Sequence, residues 1–246
     1  MTVTLAHICR HPIKAHGREE IASVLLSSGE CLPFDRHWAV AHEAAKLTGG
    51  WTSCTNFSRG AKAPSLMAIT SRLDGTSVTL SHPDCADLTF CPDDPADLPG
   101  FLAWVTPLCP PDRAQPAAIV KAGRGMTDSD FPSVAILSLA SLRDLSARMG
   151  QDLSIHRWRG NLWVDGWAPM AEFGMIGQSL RIGTAILRIE ERITRCKATT
   201  ANPDTGRVDA DTLAALSAAY DHMDFGVYAT VTNSGTVAQN DVVELL

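Results

Sequence analysis

No stretch of the chain approaches the roughly 20 consecutive apolar residues that span a bilayer as a helix, so no transmembrane helix and no membrane partner are expected. Basic residues are not in excess either. Lys and Arg total 21 against 27 Asp and Glu, a net charge of −6, which argues against nucleic acid as the partner. The seven cysteines (Cys9, Cys31, Cys54, Cys85, Cys91, Cys109 and Cys196) include no C-x-x-C pair. Their odd number and spacing point away from a disulfide framework and from a common zinc site. There is no G-x-G-x-x-G, Walker A, G-x-S-x-G or H-E-x-x-H pattern, which removes the usual dinucleotide, P-loop, hydrolase-elbow and zincin readings. Met1 to Arg10 lacks a basic region followed by a long apolar stretch. No signal peptide is therefore expected, the cytoplasm is the expected compartment, and the cysteines are expected to be reduced there.

What is present is an ordinary globular balance, 45% hydrophobic and 20% charged residues over 246 positions, enough for one large or two small domains. Short apolar runs bounded by Gly, Pro, Asn and Asp read as strands: Leu66–Thr70, Ser77–Leu80, Val134–Leu137, Asn161–Val164, Leu180–Ile189, Val227–Thr232 and Val242–Leu246. Such spacing predicts a mainly β, barrel-like fold with a few helices. Asn233-Ser234-Gly235 reads as a hairpin turn between the last two runs. Ser138 to Gly150 carries Leu139, Leu142, Leu145 and Met149 near one stripe. Ser141 and Asp144 have capping-box-like spacing there, and Gly150 can end the helix. A second helix is expected over about 211–220, with Leu213, Leu216 and Tyr220 on one face. The proline- and acid-rich stretch from Cys91 to Gln115 reads as a connector with at most a short helix near Phe101. It suggests a β-rich N-terminal domain over 1–115 and a second domain over 116–246.

Two segments carry chemistry. In RITRCKATTANPDTG, residues 192–206, Cys196 lies between Arg195 and Lys197. Neighbouring cations favour thiolate over thiol, and a thiolate is both a nucleophile and a soft metal ligand. Asn202 to Gly206 is turn chemistry, so the cysteine is expected where a strand runs out into a loop. A buried structural cysteine flanked by solvated bases is the competing reading. In HRWRGNLWVDG, residues 156–166, strand alternation would put Arg157, Arg159 and Asn161 on one face, an arrangement suited to an anion. An exposed polar strand face is the alternative. Lys14 in PIKAHG and Arg36 in LPFDRHW carry no signal alone. His7, Cys9 and His11 alternate and could share a strand face as metal ligands, though without a fourth.

Together these segments resemble the MOSC family, the domain found at the C-terminus of molybdenum cofactor sulfurases. The likeness is greater to members with a β-rich N-terminal domain, which include the amidoxime-reducing component and its bacterial relatives. The matching pieces run in order along the chain: HPIKAHG, LPFDRHWAV, DFPSVAILSLASLRDL, HRWRGNLWVDG, LRIG, TRCKATTANPDTG, DFGVYATV and NDVVEL. The resemblance implies a MOSC fold preceded by a smaller β-rich domain. It implies a molybdenum cofactor (molybdopterin with Mo) whose metal is held by Cys196, also the expected catalytic residue. Pterin and phosphate contacts are implied for Lys14, Arg36, Ser138, Arg157, Arg159, Asn161 and Arg195. The implied activity is reduction of an N-hydroxylated small-molecule substrate with electrons from a separate donor protein. A non-enzymatic carrier of cofactor or sulfur using Cys196 is the alternative. The chain departs from the family pattern in having Gly160 where Pro is frequent and Ala15 where Ser is usual. It keeps only Glu172 and Phe173 of a later aromatic and acidic group.

Overall fold

The computed structural model describes residues 2–246. It is mainly β, as expected. Its centre is a curled eight-stranded sheet with the order Val243–Leu245, Ser179–Ile182, Ala185–Thr194, Asp224–Asn233, Val134–Ser138, Leu162–Asp165, Thr4–Arg10 and Glu19–Glu20. Most neighbours are antiparallel, while Val134–Ser138 runs parallel to Leu162–Asp165.

These central strands have apolar runs because both of their faces are covered. In Val134–Ser138 every residue is buried. Val134 and Ile136 join Leu5, Ile8, Val164 and Leu187 on one side of the sheet. Ala135 and Leu137 join Trp158, Trp163 and Phe225 on the other, under two helices. Each fully buried Leu, Ile or Phe contributes about 1.5–3 kcal/mol by leaving water. The covering helices are Leu139–Met149 (α2) and Thr212–Tyr220 (α3), with Leu142, Leu145 and Leu216 facing the sheet. Gly150 ends α2 at φ 63°, as its sequence position predicts.

The cap of α2 differs from expectation. Ser138 Oγ accepts from Ser141 N at 3.3 Å, so the helix starts three residues before the capping-box pair. Ser141 Oγ instead donates to the buried carboxylate of Glu172. Asp211 caps α3, accepting from Ala214 N at 3.1 Å.

Smaller sheets pack beside the large one. Ile13–Lys14, Trp38–His42 and Pro116–Val120 form one, and Thr70–Asp74, Ser77–His82 and Cys85–Phe90 form a meander. A short helix, Leu98–Val105 (α1), buries Phe101 and Val105 in the same core as Trp38, Leu66 and Leu80. Pairings join residues on either side of position 116. Thr4–Arg10 lies against Leu162–Asp165, and Trp38–His42 against Pro116–Val120.

Three strand expectations are corrected. Pro64–Ala68 is a 3₁₀ turn and the strand starts at Thr70; Pro at its first position suits a helical start. Leu180–Ile189 is two strands joined at Gly183-Thr184. Asn233–Gly235 is not a hairpin turn: Gly235–Ala238 pairs with Ser23–Leu26 and Val243–Leu245 with Ser179–Ile182.

Candidate functional site

Between the large sheet and the small N-terminal sheets lies a cavity of about 290 Å³. Six cationic side chains line it: Lys14, Arg36, Arg59, Arg157, Arg159 and Arg195. Cys196 and Cys54 line it too.

The strand Ala185–Thr194 delivers Arg195 and Cys196. Cys196 is exposed and caps the 3₁₀ turn Lys197–Thr200, its carbonyl accepting from Thr199 N at 3.2 Å and Thr199 Oγ1 at 3.1 Å. The following turn closes with Gly206 N donating to Asn202 O at 2.8 Å. Gly206 sits at φ +66°, and a Cβ there would come within 2.7 Å of Ser65 Cα. Only glycine fits this conformation and this approach. The Cys196 loop is thereby packed against the N-terminal half of the chain.

Arg157 and Arg159 do not lie on a strand, which corrects the alternation argument. Arg157 belongs to the 3₁₀ turn Ile155–Trp158, capped by Ser154, and Arg159 is left-handed at φ 49°. The strand begins only at Leu162. Both guanidiniums reach the cavity by this turn instead. Arg157 is 2% exposed and pairs with Asp209 at 2.6 Å, while its buried Nε finds no acceptor. Arg159 Nη1 and Nη2 donate to the carbonyls of Gly17 and Ile13 at 3.2 and 3.4 Å. Arg195 donates to Phe225 O from Nε (2.8 Å) and Nη2, and to Trp158 O from Nη1 (2.8 Å). Burial pushes the Arg159 pKa down to about 9 and that of Arg195 to about 10. Lys14 Nζ donates to Met126 O at 2.7 Å and to Asp128 at 2.6 Å; burial lowers its pKa, and Asp128 opposes the shift. Arg36 pairs with Asp35 and donates to Arg159 O at 2.7 Å. Burial works against its charge, but Asp35 and Asp128 hold its pKa above the usual arginine value.

Of the six cations, Lys14, Arg36 and Arg157 have carboxylate partners within 4 Å, namely Asp128, Asp35 and Asp209. Arg59, Arg159 and Arg195 form no ion pair among the described residues, so about three positive charges face the cavity uncompensated. A buried charge without a counter-ion is costly, so the arrangement suits an anionic ligand.

Ser138 and Asn161 do not line the cavity. Ser138 is spent on the α2 cap. Asn161 is 1% exposed, accepting from Ala135 N at 3.0 Å and donating to Cys9 O at 3.2 Å, so it ties two strands together. His7, Cys9 and His11 do not form a metal site: no group of three His, Cys, Asp or Glu suited to a metal occurs among the described residues. His11 is instead buried against Asp35. Sequence reasoning missed Arg59, Cys54, Asp128 and Tyr228, all of which line the cavity. None has a distinguishing neighbour pattern; only the fold brings them there. No helix among the described residues is long and apolar enough to cross a membrane.

Residues 126–244 match the family model for the MOSC domain. Mitochondrial amidoxime-reducing component 1 of Mus musculus is 30% identical over 149 residues, 56% of this chain and 43% of that protein. The Homo sapiens protein of the same name is 31% identical over 130 residues, 48% of this chain and 38% of that protein. The match thus spans about two fifths of these relatives' length. Among solved structures, the YuaD protein from Bacillus subtilis aligns over 100% of this chain and 96% of that one at 12% identity, with a TM-score of 0.49.

Proposed function

Because residues 126–244 match the MOSC domain model, we propose that this chain binds a molybdenum cofactor and acts as a reductase of N-hydroxylated small molecules such as amidoximes. The observation that carries the reading is one cavity holding both an exposed thiol, Cys196, and about three uncompensated positive charges. A thiolate is a soft ligand suited to a heavy transition metal. Forked guanidiniums suit phosphate oxygens, and the unpartnered Nε of Arg157 is a donor in want of an acceptor. The residues present fit the group on both counts. The similarity to amidoxime-reducing components supports the substrate class.

In this reading Cys196 holds the metal end. Arg157, Arg159, Arg195, Lys14 and Arg36 hold the phosphate and pterin end. The cofactor, when bound, supplies two-electron oxygen-transfer chemistry that no side chain provides. The protein orients both ends on rigid elements. The packed Asn202–Gly206 turn fixes the Cys196 loop, and Trp158, 2% exposed, is buried in the cavity wall between Arg157 and Arg159. Reduction of an N–OH group takes two electrons and two protons and releases water, with the electrons drawn from a separate donor protein.

The exposure of Cys196 also suits a carrier that passes cofactor or sulfur to another protein. Anaerobic assay of the cofactor-loaded protein with benzamidoxime and a reduced viologen separates the two. The reductase reading expects benzamidine and stoichiometric viologen oxidation; loaded protein that forms no benzamidine leaves the carrier.

A further inference from the structure

Arg59 stands apart from the other five cations. Arg159 and Arg195 commit two and three of their N–H groups to backbone carbonyls, and Lys14, Arg36 and Arg157 have carboxylates. Arg59 makes one side-chain contact, from Nη1 to Cys54 Sγ at 3.0 Å. It has no ion pair among the described residues and is only half-buried, so its remaining N–H groups are free to meet a ligand.

Its position is set by its neighbour. A Cβ at Gly60 would lie 3.4 Å from the Ala198 side chain. The segment bearing Arg59 therefore faces the turn that Cys196 caps, from the opposite wall. Cys54 holds the guanidinium from a second short turn, Cys54–Asn56, with Ser53 as its cap.

We propose that Arg59, positioned by Cys54, recognises an anionic group on the substrate, such as a carboxylate, so that the preferred substrates are N-hydroxylated compounds bearing negative charge. This rests on the reductase reading for the reaction but not for the binding. A guanidinium–carboxylate contact has the geometry for two parallel hydrogen bonds, and one good charged contact is worth about tenfold in affinity.

The test compares benzamidoxime with 4-carboxybenzamidoxime. Dissociation constants come from calorimetry and kcat/KM from the viologen assay, for wild type, Arg59→Gln, Arg59→Lys and Cys54→Ala, with bound pterin and melting temperature measured for each. Wild type is expected to favour the carboxylated probe about tenfold. Arg59→Gln should bring that ratio to about one, Arg59→Lys should retain part of it, and Cys54→Ala should reduce it. An equal ratio in wild type and Arg59→Gln overturns the proposal. So does loss of pterin in Arg59→Gln while Arg59→Lys keeps it, which would make Arg59 a cofactor contact. If neither probe is reduced but the binding preference exists and needs Arg59, the anion site stands and the reductase reading falls. If both are reduced without preference, the reverse holds.

Discussion

Lys14 Nζ lies 2.6 Å from Asp128 Oδ1, although 114 positions separate them. The cavity takes its lining from two stretches of the chain, positions 14–67 and 128–228. Thr4–Arg10 is moreover an interior strand of the large sheet, flanked by Leu162–Asp165 and Glu19–Glu20. A fragment of residues 116–246 would expose the edge of Leu162–Asp165 and lose Leu5 and Ile8 from the core. It is expected to aggregate or to lack a cooperative melt. Size-exclusion chromatography and thermal circular dichroism check this; a monomeric, cooperatively melting fragment would contradict it.

Two buried histidines make stability depend on pH. Burial pushes the His11 pKa down to about 3 and that of His16 to about 4. His16 Nδ1 meets the Lys14 carbonyl at 2.7 Å, so it carries the proton as donor, and Nε2 of both rings is buried without a partner. Protonation would place an N–H where nothing accepts it. The unfolded chain takes up protons near pH 6.5, while the folded chain does not until the lower values. Stability is therefore complete above about pH 6.5 and falls as pH drops toward 4. The slope is about 1.4 kcal/mol per pH unit for each histidine. Urea unfolding at pH 7.5, 6 and 5 measures it; equal stability at all three would refute the assignment.

Asp209→Ala should cost about 1–3 kcal/mol, because it leaves the buried Arg157 guanidinium without its partly exposed partner. Asp209→Asn keeps a hydrogen-bond acceptor and should cost less. Chemical denaturation of the two variants gives the order, and Asp209→Ala within 0.5 kcal/mol of wild type would show that Arg157 relaxes to solvent.

The parts of this fold legible in the sequence are those whose signal is local. Helices α2 and α3 follow from apolar periodicity with Gly150 and Asp211 at their ends. The cavity residues Lys14, Arg36, Arg157, Arg159, Arg195 and Cys196 came from ordered motifs rather than from charge pattern. What was illegible depends on tertiary context. A short apolar run does not distinguish a strand from a buried turn, which is why Leu66–Thr70 reads as a strand although Pro64–Ala68 is a 3₁₀ turn. Strand alternation also failed for Arg157 and Arg159, because the Ser154 cap and a left-handed Arg159 bring both to the cavity by another route. Arg59 and Cys54, five positions apart, reach the cavity only because their segment folds against the Cys196 turn.

Ser138 illustrates the same limit and yields a prediction. Its side chain is 0% exposed and caps α2. Ser138→Ala should therefore cost about 1 kcal/mol of stability while leaving bound pterin at the wild-type level. Denaturation and pterin fluorescence measure both; loss of pterin at unchanged stability would return Ser138 to the site.

The central claim is that Cys196 ligates molybdenum. The direct measurement is elemental analysis of wild type and Cys196→Ser, expressed identically in a host that makes the cofactor, with melting temperatures alongside. Because Cys196 is exposed, the substitution should leave stability within about 0.5 kcal/mol. The account predicts near-stoichiometric molybdenum in wild type and its loss in Cys196→Ser, with equal melting temperatures for the two cofactor-free proteins. Wild type without molybdenum, or Cys196→Ser with a full complement, would contradict it.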